Sequence, residues 1–266
     1  MFYAKGYSTF VYYLPVIHIL NISMNRKILL FILGFCLCIN NFLNAQSIAG
    51  VWQQVNASGN TATLICTENY LMFAVYKVSD KKLVSSGGGS FEILKADAKT
   101  ILSFKRDFNT EDSTLVGLTV ANVFTVDNKK LTVAQGPLAG TWSRIEEKAS
   151  PTPLSNALWR LRAKENKDFK MQTVFKGPFK TIKIFSGQYF QWASFNIDTH
   201  QFFGTFGGVF SKNKDKYSEK INFSSKNIKE VGTSFQYDCV LNGKDWIHAG
   251  QTSKGERTHE IWEKGY

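Results

Sequence analysis

The apolar positions of this chain recur at every second residue. Tyr217, Glu219, Ile221 and Phe223 alternate with Ser218, Lys220 and Asn222, and Phe235, Tyr237, Cys239 and Leu241 alternate with Gln236 and Asp238. Alternation with period 2, rich in aromatic and β-branched residues, is the mark of strands with one buried face. No window of useful length sustains a 3.6-residue period. Turn signals at Ser58-Gly59-Asn60, Ser79-Asp80-Lys81, Asp127-Asn128 and Asn242-Gly243 separate the runs. In the first half they predict strands near 50–56, 61–67, 70–78, 82–94, 100–108, 114–126, 130–135 and 140–147. About eight antiparallel strands in sequence order close into a small barrel. The clusters Gly87-Gly88-Gly89 and Gly204 to Gly208 fall inside long strands, where glycine marks a bulge or sharp bend.

The pattern occurs twice. The stretch from Thr63 to Phe91 matches that from Ile182 to Phe210 without a gap: Ile65 falls on Ile184, Tyr70 on Tyr189, Ala74 on Ala193, Gly88-Gly89 on Gly207-Gly208 and Phe91 on Phe210. The register is read as continuing to Phe104 on Phe223. From Val116-Gly117 on Val231-Gly232 the offset is four residues shorter. Between the copies lie Pro151 and Pro153, which block helix and sheet alike. The expected architecture is all-β: two tandem, small, antiparallel up-and-down barrels, at residues 46–148 and 157–266, joined by a linker at 149–156.

Residues 1–45 read as a leader. Met24-Asn25-Arg26-Lys27 is a positive n-region, Ile28 to Ile39 is an apolar run, and Leu43-Asn44-Ala45 offers a cleavage site before Gln46. The run is shorter than the ~20 residues a spanning helix needs. A signal peptide over Met24–Ala45 and a periplasmic or secreted mature protein that does not span the membrane are therefore expected. Met1 to Ser23 is either an over-long start or a longer leader. Cys36 and Cys38 follow Phe35 and Leu37, not the small residue that a lipid-attachment site requires.

The net charge of +11 comes partly from Lys5, Arg26 and Lys27 of the leader. The remaining cations stand singly between aromatics, so solvated strand faces are expected and nucleic acid is not. Cys66 and Cys239 occupy non-equivalent places in the two copies and read as buried apolar residues.

Each copy opens on a tryptophan and ends on a cation. The first runs from Gly50-Val51-Trp52 to Arg144, the second from Ala157-Leu158-Trp159 to Lys264. Glycine-x-tryptophan on the first strand with a basic residue on the last resembles the lipocalin signature. That resemblance implies that Arg144 lies across Trp52, and Lys264 across Trp159, at the closed end of each barrel. More broadly, Trp159, Ile184, Tyr189, Trp192, Gly204, Gly207-Gly208, Tyr217 to Ile221, Val231-Gly232 and Glu260-Ile261-Trp262 resemble a known group. It comprises the secreted lipocalin-like domains of unknown function, or "membrane or secreted proteins", of Bacteroidetes-type bacteria, here in tandem. The resemblance implies a small barrel outside the cytoplasm and no established reaction.

With Ile221 and Phe223 taken as inward, the same face of the first copy holds Ala98, Thr100, Leu102, Phe104, Leu118, Val120, Asn122, Phe124, Leu131 and Val133. In the second it holds Tyr217, Glu219, Thr233, Phe235, Tyr237, Cys239, Trp246 and His248. Polar groups converging in an aromatic interior are what a ligand site looks like. Tyr217, Glu219, Phe235, Tyr237, Trp246 and His248 are therefore the candidate site, for a small, largely apolar ligand with a polar or cationic end. The bland alternative is a satisfied internal network, with Glu219 bonded to Tyr237 or His248. No metal site is expected, since His200, His248 and His259 lack ligand spacing. No catalytic set and no cofactor are expected either; the glycine pairs precede no helix, and no Gly-x-Ser-x-Gly occurs. An enzyme using Glu219 as acid or base is a third reading, and it requires a perturbed carboxyl inside an open cavity. The rival to ligand binding is a non-enzymatic envelope module with filled barrels. Tyr189, Phe190, Trp192 and Phe195 occupy both faces of one strand, as expected where two barrels touch.

Overall fold

The computed structural model describes residues 47–145, 152–252 and 254–265. The Met24–Ala45 signal and residues 149–151 of the linker lie outside the described residues.

The first barrel consists of β1 (Gly50–Val55), β2 (Thr61–Cys66), β3 (Tyr70–Lys77), β4 (Lys82–Ala96), β5 (Lys99–Asn109), β6 (Thr119–Val126), β7 (Lys130–Val133) and β8 (Gly140–Arg144). Each is antiparallel to the next, and β8 pairs with β1, placing Arg144 opposite Trp52. The second is built from β9 (Ala157–Glu165), β10 (Met171–Thr173), β11 (Phe179–Ser186), β12 (Tyr189–Asn196), β13 (Phe202–Asn213), β14 (Lys216–Ser224), β15 (Ser234–Asn242), β16 (Asp245–Gln251) and β17 (Arg257–Lys264). Here β17 pairs with β9 to close the ring. β10 shares one edge of β9 with β11: it covers Ala163–Glu165, and β11 covers Ala157–Arg160. Both barrels are thus closed, eight-stranded antiparallel meanders, with β10 an extra hairpin arm on the second. Among the described residues there is no α-helix.

The glycine clusters mark bulges, at Gly88/Gly89 and at Gly207/Gly208. A side chain on Gly89 would collide with the carbonyl of Lys105, and one on Gly208 with that of Lys220. The backbone of the neighbouring strand therefore approaches closely only because these residues lack a Cβ. Beyond each bulge the facing reverses. Phe223, expected inward, points out and stacks on Tyr76 of the first barrel at 5.1 Å.

The bulges also correct the internal alignment. Gly88 pairs with Phe108 as Gly207 pairs with Phe223, and Phe91 pairs with Phe104 as Phe210 pairs with Glu219. Glu219 therefore occupies the place of Phe104, and Tyr217 that of Leu102. The four-residue shift lies in the longer β4–β5 hairpin, before Phe104 and not after it. That hairpin leaves Ala98 exposed. The strand expected over 114–126 begins at Thr119, because Ser113–Leu115 forms a 3-10 turn capped by Asp112. Leu118 and Thr233, each just ahead of its strand, are accordingly exposed rather than inward.

The barrels pack through faces that each strand turns away from its own core. Ile65, Tyr70, Met72 and Phe108 of the first meet Ile182, Ile184 and Phe195 of the second. Buried Gln191 donates to Ser86 Oγ at 2.9 Å across this contact, and Lys180 reaches Asp107 at 3.3 Å. The strands β2, β3, β11 and β12 are thus buried on both faces, which accounts for the aromatic run at 189–195. Cys66 and Cys239 are free and buried, one in each core.

Candidate functional site

The closed ends are built alike. In the first barrel the Arg144 guanidinium lies 4.0 Å from the Trp52 ring centroid and donates to Ala49 O at 2.9 Å. Gly50, with φ +133°, leaves room for it; a Cβ there would strike Nη1 of Arg144. In the second, Lys264 Nζ stands 6.0 Å from Trp159, and Ala157 is accommodated. Ile48 and Leu154 seal these ends, their carbonyls accepting from the Trp52 and Trp159 indoles at 2.8 and 3.2 Å.

The opposite ends differ. After the short β7, residues 134–139 of the first barrel fold back and bury Leu138 completely in its core. The Trp142 indole donates to the Leu138 carbonyl at 2.9 Å. In the second barrel β16 runs on to Gln251 and turns directly into β17. Among the described residues no plug forms, and the equivalent indole of Trp262 donates instead to Glu260 Oε2 at 3.1 Å. Below that rim lies a cavity of about 290 Å³. Its wall includes Trp192, Phe206, Ile221, Phe235, Tyr237 and Trp262, with Lys183, Glu219, His248 and Glu260 among them and Lys164, Lys226 and Glu230 at the mouth.

Of the residues expected from the sequence, Glu219, Phe235, Tyr237 and His248 line this cavity. Tyr217 and Trp246, both fully buried, lie one layer beneath and meet edge to face at 5.3 Å. Glu219, 2% exposed, receives hydrogen bonds on Oε1 from Lys183 Nζ and Tyr217 Oη, both at 2.5 Å. Its partners are therefore not Tyr237 or His248. Lys183 is itself 2% exposed. Five rings surround its ammonium, with centroids at 5.4 Å for Trp246 and Trp262, 5.6 Å for Phe190, 5.7 Å for Tyr217 and 5.8 Å for Phe206. Ring quadrupoles and the carboxylate together replace the water this charge has lost.

Towards the mouth, His248 packs on Tyr237 with centroids 4.2 Å apart. Neither of its ring nitrogens has a hydrogen-bond partner, although Nδ1 is 3.5 Å from Glu260 Oε2. Burial pushes the Glu260 carboxyl up, but His248, Lys164 and Lys183 outweigh it and hold the pKa down at about 2. Burial, and then the charges of Glu219 and Glu260, push the Tyr237 phenol up. At neutral pH the cavity thus presents the Glu260 carboxylate and the neutral Tyr237 phenol beside aromatic walls. Among the described residues no group of three or more His, Cys, Asp or Glu is placed to hold a metal ion.

Lys183 and Glu260 are the residues that sequence reasoning missed. Ile182 and Ile184 flank Lys183 and look inward-facing, whereas they face the other barrel and Thr181, Lys183 and Phe185 face in. A strand with apolar residues on both faces was the available signal. Glu260 shares a face with Trp262 by strand periodicity, a readable clue.

No protein-family model matches the chain. No curated protein matches it either. Among solved structures, the chain is similar to a lipocalin-like protein from Bacteroides uniformis, with 18% identity and a TM-score of 0.31, over 42% of this chain and 98% of that one.

Proposed function

We propose that this is a periplasmic or secreted, non-enzymatic binding protein whose second barrel holds a small, largely apolar ligand with a polar or cationic end. One observation carries the reading. Two barrels of the same design differ at one end: Leu138 plugs the first, and the second keeps an aromatic cavity of about 290 Å³. That volume is near the lower limit of ligand pockets, ~300 Å³, so the ligand is about the size of one substituted ring. Trp192, Phe206, Phe235 and Trp262 take its body, and Tyr237, His248 and Glu260 meet its polar end. The Lys183–Glu219 pair forms a charged but internally compensated floor. Commitment of Glu219 to Lys183 and Tyr217 is also what favours binding over acid–base chemistry.

Benzylamine, benzyl alcohol and toluene titrated into the mature protein, with tryptophan fluorescence as readout, test this reading. Benzylamine should saturate the signal with the highest affinity, and Ile221→Phe, which fills the cavity, should remove the response. A response unchanged in Ile221→Phe would refute the site. The compartment is checked by N-terminal sequencing of the protein from its native host: a start near Gln46 is expected, and a soluble protein retaining residues 24–45 would contradict it.

A further inference from the structure

A second cleft lies outside the second barrel, near its closed end, away from the aromatic cavity. Arg160, Lys176, Gly177, Lys180, Lys244, Glu263, Lys264 and Gly265 line it, around about 460 Å³. Five cations thus face one acid. Lys176 pairs with Glu263 at 3.1 Å, and Lys180 with Asp107 at 3.3 Å. Arg160, Lys244 and Lys264 remain in surplus. Arg160 is only 5% exposed. Its Nη2 donates to the Phe175 carbonyl at 2.8 Å, while Nη1 is buried with no hydrogen-bond partner. A buried guanidinium donor without an acceptor is costly, and guanidinium geometry matches the paired oxygens of a phosphate or sulfate. The exposed ammonium groups of Lys244 and Lys264 supply point charges around the same space.

We propose that this cleft binds a phosphate-type oxyanion, with Arg160 as the oriented donor and Lys244 and Lys264 completing the charge. The shared chemistry is a phosphoryl group, whether of a soluble compound or of a lipid headgroup. Phe175, 85% exposed on the loop whose carbonyl Arg160 holds, gives the headgroup case an apolar neighbour.

The test uses the mature chain. Inorganic phosphate is titrated by calorimetry against chloride at matched ionic strength. In parallel the protein is sedimented with phosphatidylglycerol vesicles and with phosphatidylcholine vesicles. Saturable phosphate binding is expected. Arg160→Gln should abolish it, and Lys244→Gln should weaken it about tenfold, the loss expected for one charge-assisted hydrogen bond. Ile221→Phe should leave it intact, separating this site from the cavity. Phosphate binding without vesicle binding assigns the site to a soluble phosphate; phosphatidylglycerol binding that falls in Phe175→Ser assigns it to a headgroup. Should Arg160→Gln fail to fold, the exposed Lys244→Gln variant carries the test alone. No saturable phosphate binding, or binding that Lys244→Gln leaves unchanged, overturns the proposal.

Discussion

Lys183 and Glu219 are the two side chains of the second barrel that cost most to bury. Each is 2% exposed, and each is compensated chiefly by the other. Removing one partner strands the remaining charge, a loss of about 3–5 kcal/mol. Glu219→Gln should therefore lower the unfolding free energy by about that much in urea denaturation. Lys183→Met with Glu219→Gln should recover most of it, since no buried charge is left. Losses that simply add would show the pair is not coupled. Glu260 makes a separate prediction. Its folded pKa of about 2 lies below the ordinary 4.5, so its contribution, about 3 kcal/mol, is complete above pH 4.5 and fades as pH falls towards 2. The stability gap between wild type and Glu260→Gln should shrink over that window; a gap that widens on acidification would reverse the sign of the assignment. Strand periodicity was enough to bring Glu219, Phe235, Tyr237 and His248 to one cavity wall. It could not reveal Lys183, because a strand buried on both faces carries no polar face to tell inside from outside.

Most strands were legible because alternation and turn residues bound them tightly. The bulges were legible as glycine clusters, but their consequence was not: one unpaired residue reverses every side chain beyond it. Phe223 left the core for the inter-barrel contact in this way, and the equivalence of Glu219 with Phe104 was hidden behind a hairpin of different length. Gly208 is the position where this geometry is most exposed to test. Gly208→Ala forces a methyl group onto the Lys220 carbonyl and should destabilise by ~3 kcal/mol, the upper end of overpacking costs. Gly177→Ala meets nothing within 4 Å and should leave the melting temperature unchanged. Equal tolerance of the two would mean the bulge does not need its glycine.

At the scale of the molecule, two closed barrels share a mostly apolar contact that also holds the Gln191–Ser86 hydrogen bond and the Lys180–Asp107 pair. The first barrel has filled its interior with Trp52, Leu64, Phe104 and Trp142 and closed its far end with Leu138. In the second, Lys183, Glu219, His248 and Glu260 occupy equivalents of apolar or glycine positions, and the far end is open. The molecule is thus divided into a solid support and a hollow partner. Native mass spectrometry of the protein, purified without organic solvent from the cells that make it, tests this division most directly. One added small-molecule mass per chain is expected, absent from the Ile221→Phe variant purified in the same way. The same added mass on wild type and Ile221→Phe, or bare polypeptide in both, would contradict it.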